Sequence, residues 1–274
     1  MAKIIAIANQ KGGVGKTTTA INLAASIAIS EKKTLLIDMD SQANATSGLG
    51  IAGFDKNLYH VMIGKIPAKE AIIKTELQFL DIIPSDQGLV GVEIELVSVL
   101  GRENKLKEYL EPILNDYDYI FIDCPPSLGL LTINALVAAH SYLVPMQCEY
   151  FAMEGLSKLV NTVQLIKKGL NQNLRREGIL LTMYDPRNKL SHQVVSEVRA
   201  HFKENVFDIM IPRNIRLSES PSHGKPILLY DIESKGSSSY LSLAEELLKR
   251  QEPKVETKLV SKTQEQVLQP PISS

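Results

Sequence analysis

One short segment near the N-terminus limits the folds open to this chain more than any other. Residues 3–9 (KIIAIAN) are an apolar run, and the glycine-rich stretch QKGGVGKTTT follows at residues 10–19. A glycine-rich turn between a strand and a helix lets backbone N–H groups surround an anion, and the helix N-terminus adds the positive end of its dipole. The strict pattern has glycine where this chain has Gln10, but the context still predicts a strand, a phosphate-binding loop and a helix.

Two lysines of this segment have different expected roles. Lys16 stands at the start of the predicted helix and is followed by three threonines, Thr17 to Thr19. In a phosphate-binding loop its ammonium group can reach the β- and γ-phosphates of a nucleotide while the Thr17 hydroxyl ligates Mg²⁺. Lys11 precedes the glycines at the mouth of the loop, where it could reach a phosphate held by a facing subunit, as an arginine finger does in trans. A solvated surface lysine is the alternative for Lys11.

Short apolar runs alternate with helical patterns along the rest of the chain. This alternation predicts a single-domain α/β fold of the P-loop NTPase type, with a mostly parallel twisted sheet of about seven to eight strands and helices on both faces. Ligands of such sheets bind at the carboxyl ends of the strands. The predicted strands are residues 3–9, 34–38, 80–84, 119–123, 142–145, 178–183 and 206–212. The predicted helices are residues 17–30, 87–100, 105–115, 130–139, 153–169, 191–204 and 237–250.

Composition supports an ordinary globular chain. The 274 residues are 44% hydrophobic and 22% charged, with a net charge of −1, which argues against disordered and disulfide-stapled classes. No apolar run is long enough for a membrane span, and no signal peptide is evident. Residues 251–274 contain three prolines and no aromatic residue, so we expect a folded ATPase-type domain over 1–250 and a disordered C-terminal tail over 251–274.

Several long motifs occur in the order found in one family. KGGVGKTTT resembles the deviant Walker A motif of the ParA/MinD family of ATPases. The segments DMDSQANATSGLG (38–50), FIDCPPSLGLLTINAL (121–136), PMQCEYFAMEGL (145–156) and IPRNIRLSESPSHGKPILLYD (211–231) narrow the resemblance to the chromosome-partitioning ParA proteins, also called Soj, across about residues 1–250. The resemblance implies ATP as substrate, Mg²⁺ as cofactor and a homodimer in the ATP-bound state.

The resemblance also implies roles for individual residues. Lys11, Lys16 and Asp40 are the catalytic candidates, and Lys11 and Gly12 are expected at the dimer interface, where two loops come closest. Pro212 and Asn214 are expected to contact adenine. The implied ATP-binding residues are Lys11, Gly12, Gly13, Val14, Gly15, Lys16, Thr17, Thr18, Pro212 and Asn214.

Three aspartates follow or end predicted strands near the loop. Asp38 and Asp40 close the second strand, and two residues apart on a strand they share one face. Asp40 is the candidate for orienting the attacking water, whereas Asp38 is expected to hold Mg²⁺ through water. Asp123 ends the run YIFID, the Walker B pattern, and is also expected to hold a Mg²⁺-bound water. The adjacent Cys124 is interpreted as a small packed residue and not as a nucleophile.

Charge is distributed unevenly along the chain. Residues 157–216 hold eleven basic and five acidic residues, a net of +6, whereas residues 1–156 have a net of −6. One explanation of this basic excess is that the residues lie on solvated helix faces with no binding role. The resemblance implies instead that basic residues here contact DNA phosphates without reading sequence, because no base-reading motif is present. The candidates are Arg187 and Arg216, with Lys189, Arg199 and Lys203 beside them, while Arg213 is assigned to either DNA or nucleotide.

The expected function is therefore an ATP-dependent DNA-partitioning ATPase in the cytoplasm, associated with the nucleoid and stimulated by a ParB/Spo0J-type partner. The chain begins at its first strand, which favours the chromosomal type, though a plasmid type stays open. The main alternative is a MinD-like membrane-associated positioning ATPase, which would need a C-terminal amphipathic helix that the prolines of the tail disfavour. A second alternative is an ATPase that carries a metal cluster, which would need cysteines facing each other across the dimer; Cys124 and Cys148 do not resemble such a pair. A third is a nucleotide-dependent scaffold without hydrolysis, against which the presence of Lys16, Asp40 and Asp123 argues.

Overall fold

The computed structural model describes residues 1–149 and 152–251, and for residues 152–155 it describes the backbone alone. Within this part a seven-stranded sheet forms the centre of the molecule. The predicted tail, from residue 252 onward, lies outside the described residues, and so does the segment on which the membrane alternative depends. Among the described residues, no helix combines the length and apolar character needed to span a bilayer.

The sheet is parallel except at one edge. Its order is β3-β4-β2-β5-β1-β6-β7, and only the β3–β4 pair is antiparallel. The central strands are continuously buried, as expected where helices cover both faces. The strands are β1 (Lys3–Ile7), β2 (Thr34–Asp38), β3 (Ile73–Lys74), β4 (Leu80–Ile83), β5 (Tyr119–Asp123), β6 (Ser141–Gln147) and β7 (Arg175–Thr182).

Helices cover both faces of this sheet, as predicted. Within β1, Ile4 and Ala6 face one core cluster, and Ile5 and Ile7 face the other, because successive strand side chains point to opposite faces. The helices are α1 (Lys16–Ile29), α2 (Asn44–Gly48), α3 (Leu58–Met62), α4 (Val90–Glu95), α5 (Lys105–Leu110), α6 (Leu130–Ala138), α7 (Ala152–Gly169), α8 (Lys189–Phe202), α9 (Ile215–Glu219), α10 (Ile227–Tyr230) and α11 (Lys235–Gln251).

The predicted strand at 206–212 is wrong. Only isolated bridges form there, between Val206 and Ile179 and between Pro212 and Tyr184. Between these points the backbone N–H groups of Asp208 and Ile209 donate to the carboxylate of Glu246 on α11, at 2.9 and 3.0 Å. A side chain thus replaces the neighbouring strand as acceptor, and the segment does not join the sheet as an eighth strand.

Two predicted helices are shorter than expected. Residues 87–100 form a 3₁₀ turn at Gln87–Leu89 and then α4, after which the chain turns, and the Arg102 guanidinium donates to the carbonyl of Val97 at 2.6 Å. Residues 105–115 form α5 and a 3₁₀ turn at Glu111–Ile113. Pro112 has no N–H for the helical ladder, which accounts for the change of helix type there.

Candidate functional site

The phosphate loop (residues 10–18) runs from the end of β1 into the first turn of α1. Gly13 and Gly15 have left-handed backbones, with φ of +71° and +86°, a conformation in which a side chain is strained. Gly15 directly precedes α1. The first N–H groups of a helix have no partner within the helix, so this loop presents donors suited to an anion.

Hydrogen bonds to the strands β6 and β7 fix the loop. The Asn9 amide donates to the carbonyl of Pro145 at 2.7 Å, and its oxygen accepts from the N–H of Lys11 at 3.0 Å. The Thr182 hydroxyl, at the end of β7, donates to the carbonyl of Val14 at 2.9 Å. Sequence reasoning missed both Asn9 and Thr182, because the carbonyls to which they donate are more than 130 positions away.

The Lys16 side chain lies across the loop. Its ammonium nitrogen donates to the carbonyl of Lys11 at 3.1 Å, and the residue is buried. Burial lowers the pKa of Lys16, and the carboxylate of Asp123 opposes that fall. Lys16 is therefore a buried cation held over the loop, close to a carboxylate.

Lys11 occupies the rim of the loop. Its ammonium nitrogen lies 3.4 Å from Oε2 of Glu149, and both side chains are partly exposed. Lys11 is thus paired within its own chain. Its ammonium group, which is predicted to act across an interface, is nevertheless partly open to solvent.

Asp38 and Asp123 are register partners on the adjacent strands β2 and β5. Asp38 accepts hydrogen bonds from the N–H and hydroxyl of Thr46, at 2.8 and 2.7 Å, and from the N–H of Asp40 at 3.2 Å. Burial raises the pKa of Asp38 to about 6 despite these bonds. Burial and the charge of Asp38 together raise the pKa of Asp123 well above its ordinary value.

The Asp123 carboxylate fits a hydrated cation. Both of its oxygens are buried, and within the described part of the chain neither accepts a well-formed hydrogen bond; the Thr17 hydroxyl is close enough to act as a weak donor. The Thr17 hydroxyl and the Lys16 ammonium are near enough to favour the ionised form. Buried acceptors without a donor are costly unless a cation or its water occupies the space. Thr17 and Asp123 are therefore suited to Mg²⁺, the first directly and the second through water.

Asp40 and Cys124 follow the carboxyl ends of the neighbouring strands β2 and β5. The Asp40 carboxylate is mostly buried and accepts from the N–H of Gln42 at 3.0 Å. The Cys124 thiol is buried, and burial together with the charge of Asp123 raises its pKa. A thiol with a raised pKa stays protonated, which agrees with a packed residue.

A cavity of about 310 Å³ opens beside the helical end of the phosphate loop. Asn214 caps α9 by accepting from the N–H of Leu217 at 3.1 Å, which leaves its amide N–H₂ group to donate elsewhere. Met183, missed by sequence reasoning, adopts a left-handed φ of +52° in this wall. The lining includes Gly15, Thr18, Thr182, Met183, Pro212, Arg213 and Asn214.

A larger cavity, of about 790 Å³, lies at the opposite end of the sheet, where β1 and β7 begin. Its lining includes Lys3, Lys107, His140 and Arg175, and none of the phosphate-loop residues. Because nucleotides bind at the carboxyl ends of parallel strands, the smaller cavity is the candidate site for a nucleotide base, and we refer to it below as the candidate base cavity.

The predicted DNA-contacting residues lie on several elements. Arg187 pairs with both oxygens of Asp185, at 3.0 and 2.9 Å, which lowers the pKa of that carboxyl to about 2. Arg216, on α9, pairs with Glu219 and Asp231 at 3.0 and 3.3 Å. The charges of both arginines are thus partly neutralised within the chain.

The remaining basic candidates lie on or beside α8. Lys189 begins this helix, and Arg199 near its end donates to the carbonyl of Asp208 at 3.0 Å. Lys203 follows with a left-handed φ of +46°. Arg213 is close enough to Asp185 to contribute to its lowered pKa, and it also lines the candidate base cavity.

Known proteins resemble this chain over most of its length. The AAA_31 family model, described as an AAA domain, matches residues 2–176. The chromosome partitioning protein ParA of Myxococcus xanthus is 57% identical over 256 residues, covering 93% of this chain and 90% of the relative. The sporulation initiation inhibitor protein Soj of Bacillus subtilis is 55% identical over 249 residues, covering 90% and 98%.

A solved structure shares both the fold and part of the sequence. Cobyrinic acid a,c-diamide synthase of Mycobacterium smegmatis, crystallised with bound ADP and magnesium, superposes with a TM-score of 0.81 at 33% identity. The match covers 91% of this chain and 95% of that one. The seven-stranded sheet described above is thus also the scaffold of a protein that binds a nucleotide and magnesium.

Proposed function

The chain belongs to the ParA/MinD family, in its ParA/Soj branch, and from that premise we propose that it is a DNA-partitioning ATPase that binds Mg²⁺–ATP and hydrolyses it to ADP and phosphate. One observation carries the proposal. The buried ammonium of Lys16 and the buried oxygens of Asp123, which accept no well-formed hydrogen bond from the described residues, lie together beside a glycine loop at a helix N-terminus. A triphosphate and its cation would complement both charges.

Each residue of the site has a distinct task in this proposal. Lys16 leaves the carbonyl of Lys11 and neutralises the β- and γ-phosphates, while the N–H groups of the loop hold their oxygens. Thr17 and Asp123 would hold Mg²⁺, which would supply positive charge to offset that of the phosphates. Asp40, fixed through Gln42, orients the attacking water. The protein contributes position and charge and no covalent chemistry.

We assign the adenine to the cavity beside Pro212 and Asn214. The amide N–H₂ of Asn214, left over from capping α9, can donate to a ring nitrogen of the base. Pro212 is held against Tyr184 of the neighbouring chain segment and offers an apolar surface to the ring.

The ATP-bound protein is proposed to be a homodimer in which each Lys11 reaches the phosphates of the partner. Gly12 supports this arrangement. Its φ is not positive, and among the described residues no heavy atom lies within 4 Å of where its Cβ would be. The folded monomer therefore gives no reason for glycine at this position, whereas two loops meeting face to face would.

The dimer is proposed to bind double-stranded DNA through phosphates. Arg187, Arg216, Lys189, Arg199 and Lys203 are the candidate contacts, and several are held by carboxylates or carbonyls within the chain. Replacing a carboxylate partner by a phosphate keeps the geometry of a guanidinium bond. Such binding is independent of sequence and weakens steeply with salt.

Hydrolysis is proposed to be stimulated by a ParB/Spo0J-type partner, which would release the protein from nucleoid DNA in the cytoplasm. The relatives named as ParA and Soj support this setting. The ATPase domain would span residues 1–250, and the cargo would be a chromosome or a plasmid.

The decisive experiment measures retention on immobilised DNA with ATP, with ADP and without nucleotide, at two salt concentrations, together with phosphate release. We expect retention with ATP alone, lost at the higher salt, and slow phosphate release. The matched control is Lys16→Ala, which should abolish both signals. Equal retention in all nucleotide states would contradict the partition function, and absence of phosphate release would contradict the ATPase.

A further inference from the structure

The larger cavity, of about 790 Å³, is strongly basic. We name it the amino-end cavity, because the strands β1, β6 and β7 begin at its wall. Ligand cavities in proteins have volumes of about 300–1,000 Å³, so this one is large enough for a small molecule. Its described lining contains more cationic than acidic side chains: the cations are Lys3, Lys107, Arg175, Arg176 and Arg250, and the acid is Glu177.

The carboxylate of Glu177 is already neutralised within the chain. Its Oε2 lies 2.6 Å from the ammonium nitrogen of Lys3 and accepts from the hydroxyl of Ser141 at 2.6 Å. Its Oε1 accepts from the amide of Gln251 at 2.6 Å. Because both oxygens are occupied and the side chain is only 6% exposed, Glu177 has little capacity left to offset the other cations of the lining.

Two of these cations have no anionic partner in the described part of the chain. Lys107 lies on α5 and Arg175 begins β7. Both are exposed, and neither forms an ion pair or a side-chain hydrogen bond with the described residues. Arg250, by contrast, is held by Glu246 at 2.6 Å. Lys107 and Arg175 are therefore free to bind an anion, and each would attract one into the cavity.

His140 adds a neutral donor to the same wall. Its Nδ1 accepts from the N–H of Ile4 at 2.9 Å, so the proton of the neutral ring is on Nε2, which is left to donate elsewhere. Partial burial and the charges of Lys3 and Lys107 lower the pKa of His140, which shows that both ammonium groups act on the ring. The N–H of Arg175 donates to the carbonyl of His140 at 3.1 Å, so these two residues are neighbours at the cavity.

The C-terminal end of α6 borders the cavity, but its carbonyls are covered. The amide nitrogen of Asn171 lies 3.0, 3.1 and 2.8 Å from the carbonyl oxygens of Leu136, Val137 and Ala139. Open carbonyls at a helix C-terminus carry partial negative charge and would repel an anion. Asn171 reduces that repulsion, so the positive potential of the cavity is not cancelled from this side.

We propose that the amino-end cavity is a second anion site, which binds a small molecule bearing two or more linked phosphate groups. Each phosphate group contributes about one to two negative charges, and the five cations and one acid of the described lining leave a net charge of +4. Guanidinium and ammonium groups are the side chains that bind phosphate most strongly. Because the Lys3 side chain is only 25% exposed, a small molecule reaches it more readily than a rigid DNA duplex does. The site is separate from the phosphate loop, so the proposal does not rest on the proposed ATPase function.

The test is isothermal titration calorimetry with inorganic pyrophosphate, in the absence of divalent cations. The parent protein is the full chain carrying Lys16→Ala, so that the phosphate loop contributes little to the heat. The disrupting variant adds Lys107→Ala and Arg175→Ala to this parent. The matched control adds Lys32→Ala and Lys65→Ala, which remove two exposed lysines that line neither cavity. Both variants lose the same net charge, so any general attraction of anions to the protein falls equally.

We expect the parent to bind pyrophosphate at a single site. The disrupting variant should bind it about tenfold more weakly or worse, and the control variant should bind it as the parent does. Equal affinity of the disrupting and control variants would overturn the proposal, and so would a parent that binds no pyrophosphate. Citrate is the comparison anion, and citrate binding as tight as that of pyrophosphate would refute the assignment to phosphate.

DNA retention with ATP is measured on the same pairs of substitutions in the chain that keeps Lys16. Both pairs should retain DNA as the unaltered protein does. Loss of retention in the disrupting variant, with retention kept in the control, would assign these cations to DNA and overturn the small-molecule site. If the unaltered protein itself retains no DNA, the partition function fails, while the pyrophosphate titration still decides the cavity.

Discussion

The ammonium nitrogen of Lys11 lies 3.4 Å from Oε2 of Glu149 in the same chain. Both side chains are partly exposed, and an exposed pair of this kind contributes about 0–1 kcal/mol. The contact is therefore weak enough for Lys11 to exchange Glu149 for a triphosphate, whose charge is several times larger.

Replacing Lys11 by alanine should separate binding from turnover. Because Lys16 remains, Lys11→Ala should bind ATP within a few-fold of the unaltered protein. Turnover should fall by roughly 10²-fold or more, since a cation supplied in trans contributes about 10³–10⁵-fold in related chemistry. Phosphate release and light scattering measure the two effects. Glu149→Gln is the control and should keep both dimer and turnover; unaltered assembly and turnover in Lys11→Ala would refute the trans role.

Gly12→Val should prevent the ATP-bound dimer and leave the monomer intact. The Cβ at this position meets no heavy atom within 4 Å among the described residues, so the free energy of unfolding should change by less than about 1 kcal/mol. ATP binding should persist, and light scattering should report a monomer. An ATP-dependent dimer of this variant would show that the loops do not meet at residue 12.

Arg216→Ala should weaken DNA binding alike for every sequence. Removing one phosphate contact lowers the slope of log affinity against log salt by about 1. Titrations of two unrelated DNA duplexes at several salt concentrations measure the slope. Lys56→Ala, which removes an exposed lysine paired with Glu70, is the control and should leave it unchanged. A loss restricted to one duplex would point to base reading instead.

The pH dependence of stability should reveal Asp38. Burial raises its pKa from 3.8 to about 6, so the folded protein holds a proton that the unfolded chain has lost between these values. The contribution of Asp38 to the free energy of unfolding should therefore fall as pH rises from about 4 to 6 and level off above. The contribution is on the order of 2–3 kcal/mol.

Denaturant titrations of Asp38→Asn across this pH range test the assignment. The variant should show a shallower fall, and part of the fall should persist, because the pKa of Asp123 is raised in the same direction. A stability curve identical to that of the unaltered protein would exclude Asp38 as a source of the pH dependence.

The central sheet could be predicted because its strands are short apolar runs separated by helical patterns. The edge strand β3, and the end of the sheet at β7 without an eighth strand, could not. β3 has two residues, Ile73 and Lys74, too few to form a periodic pattern. The run at 206–212 has the composition of a strand, yet the carboxylate of Glu246 takes two of its N–H groups. A competing acceptor nearly forty positions away is invisible to local periodicity.

The phosphate loop could be located from its glycines, and Asp123 from the apolar run before it. Pro212 and Asn214 came only from a family resemblance; both line the cavity of about 310 Å³ beside the phosphate loop, and their contact with adenine stays a prediction. Asn9, Thr182 and Met183 had no local signal, because their positions depend on how β1, β6 and β7 lie side by side.

Asp38 and Asp123 face each other across adjacent strands in the interior. Two acids so placed oppose ionisation, and a divalent ion relieves that opposition. Binding of the nucleotide with its cation should consequently raise the resistance of the protein to heat. The proposed partitioning cycle would then alternate between a more stable and a less stable state, and the protein would unfold most easily just after its product has left.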